Sequence, residues 1–124
     1  TLTSGRAIVC SAYNPATSVP DNLEKQGEIL RKTALKYEFP YIDMLHGKVY
    51  DALGNLLSTN INGGVVTDDN RKSLYDDYYA GTSNDNTHPS AQGNIYLGKW
   101  MAQAIMIIVE NDKGFLEVGT KLSD

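Results

Sequence analysis

Two kinds of apolar pattern run along the chain. Ala7-Ile8-Val9-Cys10-Ser11-Ala12-Tyr13 is a short, nearly continuous apolar run closed by Asn14-Pro15, and a run without alternation predicts a strand buried on both faces, hence a parallel one. After a loop from Thr17 to Asp21, the pattern changes period. Leu23, Gly27, Leu30, Ala34 and Tyr37 recur at spacings of three and four, while Glu24, Lys25, Glu28, Arg31 and Lys32 fall off that line. This predicts an amphipathic covering helix from about Asn22 to Tyr37, with Asp21 as its cap. Glu38-Phe39-Pro40 ends the helix, and Tyr41-Ile42-Asp43-Met44-Leu45 predicts a second short strand ending at His46-Gly47. Strand, helix and strand with tight joints make a βαβ unit, whose crossover is right-handed on general grounds.

Further on, the pattern loosens and then tightens. Lys48 to Leu57 reads as a short helix or turn, and Ser58 to Gly64 together with Asp68-Asp69-Asn70 is polar and turn-rich. A long helix from about Ser90 to Val109 puts Leu97, Trp100, Met101, Ala104, Ile105 and Ile108 on one face, enough bulk to anchor a core. Residues 111–124 hold Gly114, Gly119 and a brief alternation at Phe115-Leu116-Glu117-Val118, which suits an edge strand or a linker.

Composition adds limits. A length of 124 residues suits one domain, and 41% hydrophobic with 21% charged residues is ordinary globular usage. A net charge of −4 with scattered basic residues argues against a nucleic-acid surface, which needs clustered Lys and Arg. Cys10 stands alone, so it forms no internal disulfide and reads as a small buried side chain. Ala102 to Val109 is too short to span a bilayer, and no segment has a signal-peptide pattern, so a leader would lie outside this chain and the compartment stays open. Asp68, Asp69, Asp76 and Asp77 lack the alternating spacing of a calcium loop and read as solvated acids. No metal or cofactor is expected.

The chemistry gathers at Asp85-Asn86-Thr87-His88-Pro89-Ser90-Ala91-Gln92-Gly93. An imidazole acts as a general base only when one ring nitrogen is free to take a proton and the other is held in its tautomer, and a carboxylate three residues away has the reach to hold it. Pro89 suits the first position of a helix and restricts the backbone of His88. Gly93, in the first turn, permits close approach of neighbouring backbone. Asp43 reads as a hydrogen-bonding group at a strand end, and His46 is assigned no role. Tyr75, Tyr78 and Tyr79 cluster shortly before the block, where aromatic rings can stack on a sugar or pack a loop. A metal held by Asp85 and His88 would need further ligands that the neighbouring sequence lacks.

Asp-x-x-His-Pro, then a small residue and Gly leading into an amphipathic helix, resembles the last conserved block of the SGNH (GDSL-type) esterases and lipases. The Tyr41-Ile42-Asp43 stretch is similar to the segment that enters a core strand in that family. The resemblance implies a three-layer α/β/α, flavodoxin-like fold with a parallel sheet. It also implies hydrolysis of carboxylic esters by a Ser-His-Asp triad, with His88 as base and Asp85 as orienting acid. The family's Gly-Asp-Ser block and oxyanion-hole Gly and Asn donors are missing. Gly81-Thr82-Ser83-Asn84-Asp85 has one residue too many for the Gly-x-Asn-Asp block, and Ser4 and Ser11 lack the strand-to-turn setting of a nucleophile. Residues 1–110 are therefore expected to be the C-terminal portion of such a domain, with 111–124 as a tail and an N-terminal half supplying the Ser. The expected substrate is an ester, with an O-acetylated carbohydrate favoured by Tyr78 and Tyr79. The competing expectation is a non-catalytic structural or carbohydrate-binding module of a larger surface or viral protein.

Overall fold

The first apolar run does form a strand, β1 (Val9–Cys10), but its residues are half-buried rather than enclosed on both sides. A computed structural model describes residues 6–13, 20–61 and 91–112. Helix α1 (Asp21–Lys36) follows, then strands β2 (Tyr41–Asp43), β3 (Lys48–Tyr50) and β4 (Leu56–Ser58), and finally helix α2 (Ala91–Asn111). The strands lie in the order β1-β2-β3-β4. β1 pairs with β2 in parallel, Val9 opposite Tyr41 and Cys10 opposite Ile42. This is the expected βαβ unit, with α1 as its crossover.

Among the described strands the sheet is parallel only there. β2 runs antiparallel to β3, and β3 antiparallel to β4, so the chain is a mixed α/β fold. Lys48 to Leu57, expected as a short helix or turn, is a β-hairpin. Asp51 makes its bend: its Oδ1 accepts the N–H groups of Leu53 (2.9 Å) and Asn55 (2.8 Å), and its carbonyl accepts Gly54 N–H at 3.0 Å. Gly54 has φ 84°, in the left-handed region that glycine enters without steric cost.

Helix α1 departs from expectation at both ends. Asp21 is its first residue rather than its cap. Pro20 is the cap, and its carbonyl accepts Leu23 N–H (3.0 Å) and Glu24 N–H (3.1 Å) with no side-chain cap bond. Asp21 and Glu24 still complement the helix dipole from the first turn. At the other end Phe39 N–H reaches Ala34 O (2.8 Å) and Glu38 N–H reaches Leu35 O (3.1 Å), the two bonds of a Schellman motif. Glu38 takes the left-handed position with φ 56°. Tyr37, expected on the apolar stripe, lies past the last helical residue and is mostly exposed.

The helices cover opposite faces. Side chains alternate across a strand, so Ile42 and Val49 share one face and pack with Ala104 and Ile108 of α2, together with Met44 and Ile61, as the core. Tyr41 lies on the other face, where its hydroxyl donates to Gly27 O of α1 at 3.0 Å. Leu97, Trp100, Met101 and Ile107 of α2 pack partly buried against the core. Ile105, expected on that face, is 40% exposed and lies off it.

One contact places the end of α2. Asp112 Oδ2 accepts the N–H of Ala52 at 2.9 Å, which ties the end of the helix to the β3–β4 bend. Because β3 is antiparallel to β2, that bend lies at the amino end of β2. The end of α2 therefore lies on the side of the sheet where β2 begins.

Candidate functional site

The polar cluster at the carboxyl end of β2 begins with Asp43, the last residue of that strand. Its Oδ1 accepts Leu45 N–H (3.0 Å) and His46 N–H (3.1 Å), an Asx-turn that folds residues 44–47 back toward β3. Its Oδ2 lies 2.8 Å from His46 Nδ1. The turn thus presents the far edge of the imidazole toward α1, and His46 Nε2 lies 2.9 Å from Glu24 Oε1. Both ring nitrogens face carboxylates, and only the imidazolium can donate to both. The hydrogen bond to Asp43 above all raises the His46 pKa above its usual 6.5; burial opposes this, and Glu24 adds to it.

The neighbouring groups are held as firmly. Ser11, just past β1, is buried; its Oγ accepts Met44 N–H at 2.8 Å and donates to Ala12 O at 2.9 Å. That hydroxyl links the end of β1 to the turn after β2. Burial, helped by the Asp43 carboxylate, pushes the Cys10 thiol up to about 11 and raises the Tyr41 phenol as well.

Beside this cluster a cleft of about 310 Å³ opens between α1 and the sheet. Glu24, Lys25, Glu28 and Arg31 wall it from the helix, and Tyr41, Asp43, Lys48 and Tyr50 line it from β2 and β3. The Tyr41 and Tyr50 rings are 6.2 Å apart, and the Arg31 guanidinium stands 5.6 Å from the centroid of the Tyr50 ring. Asp43 and His46 have the pairing of a base and its orienting acid, but Glu24 occupies the nitrogen that a base would need free. The triplet works as a charged clasp between α1 and the end of β2. Among the described residues no group of three or more His, Cys, Asp or Glu side chains is placed to hold a metal ion.

Asp85 and His88, the expected acid and base, lie outside the described residues, as do Tyr78 and Tyr79. Of their block, Gly93 is described and is buried in the first turn of α2. One signal for the clasp does stand in the sequence: Asp43-x-x-His46 has the same spacing as Asp85-x-x-His88. Glu24, on another element, leaves no such trace. Among the described residues no helix is long and apolar enough to cross a membrane. No family model, curated protein or solved structure matches the chain.

Proposed function

We propose that this chain is the base-and-acid portion of a carboxylic ester hydrolase of the SGNH type, acting on O-acetylated carbohydrate. The observation that carries the reading is where the end of α2 is tied to the sheet. The Asp85–Pro89 block leads in sequence directly into this helix, and the far end of the helix is tied to the side where β2 begins, opposite the carboxyl ends at which open α/β sheets bind their ligands. The β1-α1-β2 crossover with a helix on each face supports a flavodoxin-like layering, to which the antiparallel β3–β4 hairpin is an addition.

In this reading, His88 takes the proton of a Ser hydroxyl supplied by an N-terminal half as that oxygen attacks the ester carbonyl. It then returns the proton to the departing sugar alcohol. Asp85 holds the imidazole and stabilises its cationic form, while Tyr78 and Tyr79 stack on the sugar. Water, deprotonated by the same His88, then releases acetate from the acyl-enzyme.

The test is hydrolysis of an activated acetyl ester. The 124-residue chain alone should give no acyl-enzyme burst, and the complete protein should restore hydrolysis. His88→Ala in the complete protein should lower kcat by several orders of magnitude, with Asp85→Asn costing less. A complete, folded protein that hydrolyses esters indifferently to His88→Ala would overturn the reading.

A further inference from the structure

The charges around the cleft between α1 and the sheet leave cations over. Glu24 is engaged by His46, Asp43 by His46 and two backbone N–H groups, and Glu28 by Lys32 at 2.9 Å. Lys25, Arg31 and Lys48 border the same space, and among the described residues none of them has a carboxylate at ion-pair distance. Two of these, Arg31 and Lys48, are half-buried, where charge is costlier than in open water, and Arg31 acts on Glu28 through space without an ion pair. The Tyr50 ring steadies the Arg31 guanidinium by cation–π contact and leaves its fork of N–H donors for a planar oxyanion. Lys48 faces the same cleft from β3, across from Asp43 in the register.

We propose that this cleft binds a carboxylate-bearing sugar residue, a uronate. Arg31 and Lys48 take the carboxylate, with Lys25 adding charge at the rim. The remainder of the lining decides between a sugar and a greasier acid. Leu45 is its one aliphatic side chain, and the other groups are carboxylates, a histidine and tyrosines. An apolar ligand would strip water from these polar groups without replacing it, whereas ring hydroxyls donate to Glu24 and Glu28 and lie against tyrosine. A cleft of about 310 Å³ is at the lower end of the size of small-molecule sites and admits one sugar ring rather than a folded chain. None of these residues takes part in the hydrolase reading, and the cleft binds its uronate whether or not His88 is catalytic.

The experiment is a titration of the isotopically labelled 124-residue chain with D-glucuronate, followed by backbone amide shifts. Saturable shifts centred on His46, Lys48 and Tyr50 are expected with glucuronate. They should be absent with D-glucose and with D-glucuronamide, which keeps the ring and removes the charge. Arg31→Gln and Lys48→Gln should each weaken binding about tenfold, the loss of one charge-assisted contact, while Lys36→Gln, outside the cleft, should leave it unchanged. Three results would overturn the proposal: no saturation by glucuronate, equal binding of glucuronamide, or the same shifts produced as readily by inorganic phosphate. The glucuronamide and phosphate comparisons use the unaltered chain, so they decide the matter even where a variant fails to fold.

Discussion

His46 can donate to Asp43 and Glu24 together only while both ring nitrogens carry protons, so the clasp is a protonated one. Its folded pKa is raised above the unfolded value of 6.5. The clasp's contribution to stability is therefore complete below pH 6.5 and is lost as pH rises through the folded value. The difference in urea-unfolding free energy between the native chain and His46→Asn should shrink steadily as pH is raised from 6.5; a difference independent of pH would show that the imidazole is not charged in the fold. Taking the difference removes any contribution from His88. At this scale the sequence is half legible. Asp43 is readable as a strand-end hydrogen-bonding group because its partners are two and three residues away, within reach of local geometry. His46 has no readable role because its second partner, Glu24, is 22 positions distant and meets it only after α1 packs on β2.

Among the elements, α2 offers the clearest contrast. Ile108 is fully buried against Ile42 and Val49, whereas Ile105, three residues earlier on the same nominal stripe, is 40% exposed. Ile108→Ala should cost about 2–5 kcal/mol, as buried large-to-small changes do, and Ile105→Ala no more than about 0.5 kcal/mol. Urea midpoints of the two variants check this, and equal losses would mean that the helix packs on a wider face. Periodicity finds the helix and its general face. The sheet accepts a narrower stripe than the sequence pattern allows, with Ala104 and Ile108 at its centre. The β3–β4 hairpin is illegible for a related reason. Strands of three residues are too short to show alternation, so the Gly54-Asn55 pair in the bend has no flanking strand pattern to mark it as a hairpin turn.

For the molecule as a whole, Cys10 is a built-in reporter, because it is the single thiol in the chain and sits in β1 at the edge of the described sheet. With its pKa raised from 9.0 to about 11, the folded thiol at pH 8 carries about a hundredfold less thiolate than the unfolded one. Alkylation at pH 8 should be markedly slower than in the urea-unfolded chain, the scarcer thiolate being offset only in part by its greater nucleophilicity. Along a urea series it should speed up together with the loss of far-UV circular dichroism. Labelling that runs well ahead of that transition would show β1 leaving the sheet by itself.

The bond from Asp112 to Ala52 spans 60 positions, and with it α2 seals the Ile42–Val49 face. Chains are made from the amino end at roughly 5–20 residues per second. All residues of the crossover and the hairpin have therefore been made once Ile61 has emerged, while the residues that cover this face are still to be synthesised. For a time on the order of seconds the newborn chain holds Ile42 and Val49 without the helix that covers them. The hazard of misassembly falls in that interval, before the last helix arrives.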